Sequence, residues 1–263
     1  MTLPEVFFLN KVTVKVKNPD GTVGRKKQEL SFLLNLGVAK LLNRAELNKY
    51  DLPIHHCDPN VYPEFIALSS ETAKFHQSIL TALAFYQYDR YFDNFNGLYN
   101  AIYYDNSNML SKFRKQYEGI RFVIAPDYSL FDDMWEPENI SRLFKIRVVM
   151  LWFVLEIGAI VIPNAVYLHS SKLPLYLSGL ENCTVMCFST KGHVRRAADR
   201  RRVQETVKYV VDNFPLKMIL VYSVCGRDDT SYKLFKYAIS HGVEVKIVDN
   251  TLRRRNQALR KKV

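Results

Sequence analysis

The chain has 263 residues, 48% of them hydrophobic and 13% aromatic, with a formal net charge of +11 and a pI near 9.4. That length fits one large domain or a main domain with a smaller appendage, and the apolar content marks a folded protein. The charge favours an anionic partner, nucleic acid (DNA or RNA) first and then nucleotides, phosphorylated metabolites or an anionic membrane, with a basic surface kept for solubility as the alternative.

Residues 1–5 have no basic n-region ahead of their few apolar side chains, so a reducing cytoplasm is expected. Alternation over 12–17 predicts a half-exposed strand, Asn18-Pro-Asp-Gly21 a turn, and 22–24 the return of a hairpin. Helical spacing follows over 30–44, then a Pro- and His-containing connector at 50–62, and a second helix over 70–88. Aromatics crowd 85–104. From 119 onward, strands near 120–125, 159–163, 183–189, 217–223 and 243–248 alternate with helices near 138–157, 195–213 and 230–241 and a weaker helical piece at 170–179. Pro137 supports the first helix start; Asp229 or Thr230 would cap the last, and Gly242 would end it. The most hydrophobic stretch, 143–163, carries Lys145, Arg147 and Glu156, and its uncharged run 148–155 is too short for a bilayer, so no membrane is expected.

This alternation predicts an α/β fold with a mostly parallel sheet, either open and doubly wound or a partial or complete barrel finished by the N-terminal region. The domains expected are a hairpin-and-helix appendage over 1–65, a main α/β domain over 66–250 and a basic C-terminal tail over 251–263. Each apolar strand runs into groups that can bond a ligand, and in parallel sheets such strand ends share the rim where sites lie. Asp127 follows the strand at 122–125, where burial would raise its pKa and suit it as a base or metal ligand; capping the next loop is the alternative. Asp132 and Asp133 could help a cation or favour a helix start. Asn164 repeats the placement after the next strand, where pinning a loop is its common use. His169 is a further acid–base candidate.

Ser189, Thr190, Lys191, Gly192, His193, Arg195 and Arg196 gather hydroxyls, a glycine and cations before a helix whose first turns add Arg200, Arg201 and Arg202. Free N–H groups, close backbone approach at Gly192 and the charges of Lys191 and Arg195 suit an anion, although the spacing is not that of a Walker loop. Residues 191–202 hold six cations and one acid, and 252–262, including Arg253, Arg254 and Arg255, hold six cations, so these two segments equal the whole net charge. Concentrated charge of this kind binds a phosphate backbone by releasing counterions. His55, His56, Cys57 and Asp58 do not read as a zinc site, since adjacent histidines rarely face one metal. The cysteines Cys57, Cys183, Cys187 and Cys225 read as small core hydrophobes.

The set Phe122-Val-Ile-Ala-Pro-Asp-Tyr-Ser-Leu-Phe131, Arg147, Val161-Ile-Pro-Asn164, Phe188-Ser-Thr-Lys-Gly192 and Leu220-Val-Tyr-Ser223 resembles a family of uncharacterised proteins carried by phages, plasmids and other mobile elements, known as a domain of unknown function. The likeness covers about residues 85–250 through PDFS-, IPN-, ST.G- and VYG-like motifs. Asp89 matches an upstream aspartate in that resemblance, whereas Lys191, His193 and Ser223 depart from it. The resemblance implies a context and no activity. Three functions fit the residues: a nucleic-acid-binding protein with a nucleotide or anion site at the rim; a hydrolase of a phosphorylated or nucleotide substrate using Asp127 with Asp89 or Asp228, which could hold a divalent cation; and a module that binds a host protein.

Overall fold

The computed structural model describes residues 11–17, 22–29 and 36–260. Strands β1 (Lys11–Lys17) and β2 (Val23–Glu29) pair antiparallel, from Lys11 opposite Glu29 to Lys17 opposite Val23. The expected hairpin is therefore present, while its turn at 18–21 lies outside the described residues. The helix expected over 30–44 is described as Leu36–Leu42, with 30–35 likewise outside. A short parallel pair joins β3 (His56–Cys57) to a later strand, β8, described below.

The main sheet begins with β4 (Phe65–Leu68), β5 (Thr81–Ala84), β6 (Phe122–Ile124) and β7 (Ile160–Ile162). After β8 (Asn182–Cys183), the partner of β3, it continues with β9 (Val185–Ser189), β10 (Met218–Tyr222) and β11 (Glu244–Asn250). Its seven strands are parallel and ordered β7-β6-β5-β4-β11-β10-β9. The two outer strands then meet. Cys187 N–H donates to Pro163 O at 2.8 Å and Ala165 N–H donates to Cys187 O at 2.8 Å, which pairs Asn164 in parallel with Cys187. The sheet is thus a nearly closed barrel in which the strands follow one another around the ring in chain order.

Burial explains why these segments are strands. Every residue of β5, β6, β9 and β10 is buried, as expected for parallel strands covered on both faces. The helix Glu136–Trp152 connects β6 to β7 and carries Pro137 in its first turn, where the missing N–H has no helical partner to lose. It runs on through a π-helical turn, Phe153–Ile157, and stops at Gly158, whose φ of 71° is readily adopted by glycine. Helix Ala197–Asn213 joins β9 to β10. Three short turns, Asp228–Tyr232, Lys233–Phe235 and Lys236–Ser240, precede β11; the cap position is Arg227, two or three residues earlier than expected.

Two expectations are corrected. Residues 70–88 form no single helix; a 3-10 turn at Thr72–Lys74 leads into β5. Thr81, Ala82, Leu83 and Ala84 suit a helix by propensity, but β4 and β6 flank them and burial on both faces decides their conformation. The barrel is completed by β4 and β5. The basic C-terminal segment is not a bare tail either, because Thr251–Arg260 is helical and Asn250 Oδ1 accepts Arg253 N–H at 2.9 Å. All four cysteines are free and buried. No helix among the described residues is long and apolar enough to cross a membrane.

Candidate functional site

Asp127 and Asn164 stand just beyond the ends of β6 and β7, and the bridge that closes the barrel also fixes the backbone of Asn164. Their side chains meet. Asn164 Nδ2 donates to Asp127 Oδ1 at 2.8 Å, and Asn164 Oδ1 accepts the Tyr86 hydroxyl at 2.7 Å. Tyr86 follows β5, is buried, stacks on Tyr222 at 4.5 Å and also lies 3.0 Å from Cys187 Sγ. Its backbone oxygen accepts Lys191 Nζ at 2.6 Å. Residues from four strand ends, β5, β6, β7 and β9, therefore form one chain: Lys191, Tyr86, Asn164, Asp127.

Burial is the largest influence on Asp127, the negative charge of Asp89 adds to it, and together they push the carboxyl up to about 7; the Asn164 bond and Lys191 pull the other way. The residue as a whole is half-buried, and its carboxyl is desolvated. Asp127 and Asn164 line a cavity of about 20 Å³ with Arg147 and Tyr176, large enough for one water. Arg147 is buried and donates to Tyr176 O at 2.9 Å and Ser178 O at 3.3 Å, while its Nε has no partner. Burial lowers it to about 10, which leaves it charged at neutral pH.

Asp89 is held differently. Its carboxylate accepts Ser129 N–H at 3.2 Å and Ser129 Oγ–H at 3.0 Å and pairs with Arg142 at 3.3 Å, so it ties the loop after β5 to the loop after β6. These bonds occupy both of its oxygens. Among the described residues, no three or more His, Cys, Asp or Glu side chains gather as a metal cage.

The remaining predicted residues separate into two groups. Ser189 and Thr190 are buried at the end of β9: Ser189 Oγ accepts Lys191 N–H at 3.2 Å and Thr190 Oγ1 accepts Val224 N–H at 2.9 Å, so they shape the turn from within. Gly192 has φ 85° with open space around it, and His193 packs on Tyr167 at 4.3 Å, where burial lowers its pKa. Arg195 and Arg196 are exposed beside it. Arg200 folds back onto Val194 O and Arg195 O at 2.8 and 3.0 Å. Arg202 pairs with Asp132 at 3.1 Å and with Glu205; Arg253 pairs with Asp228 at 2.8 Å; Arg254 pairs with Asp249. Arg201 and Arg255 are exposed. His169 lies on the surface, donating its backbone N–H to Asp132 at 2.7 Å. His55 sits apart and buried, 2.6 Å from Val161 O, with burial lowering its pKa to about 4.

Sequence reading missed Tyr86, Tyr167 and Arg142. Tyr86 was hidden because its strand was read as helix. Tyr167 accepts Ser189 N–H at 2.9 Å and donates to Ser189 O at 2.8 Å, holding the end of β9, and no local pattern announces that pairing.

Fold and site together define a parallel α/β barrel protein with a desolvated carboxyl and a lysine at the C-terminal mouth of its strands. Residues 48–241 match the family described as Domain of unknown function (DUF4417), and the chain belongs to that family. None of the curated proteins matches. Among solved structures, the A domain of carboxylic acid reductase from Segniliparus rugosus, in complex with AMP and a co-purified carboxylic acid, is similar at 12% identity with a TM-score of 0.26. The match covers 94% of this chain and 27% of that one, so the chain spans about a quarter of that structure's length.

Proposed function

We propose that this protein is an enzyme acting on a phosphorylated or nucleotide substrate at the barrel mouth, with Asp127 as its acid–base group and Lys191 as its anion contact. The observation that carries this reading is the bonded chain Lys191, Tyr86, Asn164, Asp127 at the strand ends, where burial pushes the Asp127 carboxyl up to about 7. A group titrating near neutrality exists in both forms at working pH, so it can accept a proton and return it. Asn164 occupies Oδ1, which leaves Oδ2 to exchange the proton with substrate or water. Lys191 spends one donor on Tyr86 O and keeps two for a phosphate oxygen. Hydrolysis or transfer of a phosphoester fits this set, because the lysine offsets charge on the phosphate while the carboxyl moves a proton.

The basic segments support nucleic acid as the larger substrate. Arg195, Arg196 and Arg201 are exposed on the segment that follows β9 and form no ion pair with a described residue, so they are available to a phosphate backbone. The motif resemblance favours a phage, plasmid or other mobile element as the setting, and four unpaired thiols suit a reducing cytoplasm. The test is to incubate the purified protein, with and without Mg²⁺, with nucleoside phosphates and with 5′-phosphorylated oligonucleotides, and to follow products by mass spectrometry. Turnover should fall about 10²- to 10⁴-fold in Asp127→Asn, and Lys191→Ala should chiefly weaken substrate binding. Turnover undiminished in Asp127→Asn, or no turnover of any of these compounds, would reject the proposal.

A further inference from the structure

Five large aromatic side chains remain in water on the same rim. Tyr88, Tyr91 and Phe95 belong to the loop after β5, and Phe131 and Trp135 to the loop after β6; Phe95 and Trp135 are each 86% exposed. Folding buries rings of this size wherever it can, so a group of them left outside on linked loops marks an interaction surface.

The loops that carry them are fixed. Asp89 clamps Ser129 and Arg142, and Lys145 pairs with Asp93 at 2.7 Å, which binds the first loop to the second and to helix Glu136–Trp152. Arg202 reaches Asp132 at 3.1 Å and Lys191 reaches Tyr86 O, so the basic start of helix Ala197–Asn213 is joined to both loops. Arg90 lies over the rings of Tyr88 and Tyr91 at 5.6 and 5.1 Å. Aromatic faces and cations thus share the linked loops of the rim that also carries Asp127.

We propose that this rim binds a single-stranded polynucleotide, with unpaired bases stacked on Tyr88, Tyr91, Phe95, Phe131 and Trp135 and the backbone held by Lys191, Arg195, Arg196 and Arg201. This deepens the proposed function by naming the substrate class, and it rests on that reading for what happens at Asp127. Stacking needs bases whose faces are free, which a duplex covers and a single strand offers. A run of rings on two loops matches successive bases, whereas a mononucleotide would use one. Tyr91 also lines a cavity of about 160 Å³ beside Phe92, Tyr99 and Tyr128, space for a single ring. A membrane surface is disfavoured because Asp89, Asn94, Asn96, Asp132 and Asp133 interrupt the rings, and a lipid interface calls for an unbroken apolar face.

The protein carries its own probe. Its two tryptophans are Trp135, exposed, and Trp152, buried, so quenching of emission by a stacked base reports Trp135. A 15-mer of oligo(dT) should quench this emission and bind with an affinity that falls as salt rises, while a duplex of equal length binds more weakly without quenching. Trp135→Ala and Phe95→Ala should each weaken oligo(dT) about 5- to 100-fold. Asp127→Asn should leave that binding unchanged even though it lowers turnover about 10²- to 10⁴-fold, which separates failure of this inference from failure of the proposed activity. Equal affinity for duplex and single strand, or Trp135→Ala binding as wild type, would overturn the inference. So would the absence of oligo(dT) binding, including the case in which vesicles rich in phosphatidylserine quench Trp135.

Discussion

At Tyr86 one phenolic proton sets the direction of the bonds that follow. Burial drives its pKa well above 10, so the hydroxyl stays a donor; Asn164 must then turn its oxygen to Tyr86 and its amide hydrogens to Asp127. Asp127 is in turn raised from 3.8 to about 7, chiefly by burial. Between those two values the folded chain keeps a proton that the unfolded chain has lost, so stability falls as pH rises through this window and levels off above it. Asp127→Asn removes the ionisable group. It is expected to match wild type in urea denaturation near pH 4 and to become the more stable protein by about 1–2 kcal/mol near pH 8, a figure reduced from the full shift for partial solvent exposure. A difference that does not change with pH would count against the shifted carboxyl.

Elements differ in how openly the sequence announces them. The cores of β6, β7, β9 and β10 are apolar runs of Val, Ile, Leu, Phe, Met and Cys, and their polar terminators were readable as rim residues because a parallel barrel puts all such ends on one side. β5 lacks that texture, although β4, Phe65-Ile-Ala-Leu68, shares it. Thr81, Ala82, Leu83 and Ala84 are strand only because neighbours cover both faces, and with β5 unread, Tyr86 could not be placed at the mouth. Charge pairing was equally hidden, since Arg202 and Arg253 find Asp132 and Asp228 on other elements. The loop after β6 owes its shape to a residue that no motif marks: Asn139 is fully buried, donates Nδ2 to Phe131 O at 2.7 Å and accepts Phe131 N–H at 3.2 Å. Asn139→Ala leaves Phe131 N–H without a partner and Phe131 O with only Met134 N–H at 3.3 Å, and a loss of about 2 kcal/mol is expected in thermal or urea unfolding. Amide exchange at 129–135 should quicken beyond that of the barrel strands. Unchanged stability together with unchanged exchange in this loop would mean that Asn139 does not hold it.

For the whole molecule, closure of the barrel and chemistry at its mouth have one cause. The pairing of Asn164 with Cys187 joins β7 to β9, and the same step places the Asn164 side chain against Asp127 and surrounds the carboxyl with β5, β6 and β9 residues. In an open sheet, Asn164 would lie at an edge, and water would hold Asp127 at an ordinary carboxylate pKa. The net charge of +11 also divides at this scale: Arg202, Arg253 and Arg254 are neutralised by partners within the fold, whereas Arg195, Arg196, Arg201 and Arg255 form no ion pair with a described residue. The titration of Asp127 itself, followed by ¹³C-carboxyl NMR and assigned with Asp127→Asn, tests closure and site together. The expected midpoint lies near 7, moving higher in Asn164→Ala and Lys191→Gln and lower in Asp89→Asn. A midpoint near 4 in the wild-type protein would contradict the desolvated carboxyl, and with it the barrel-mouth site.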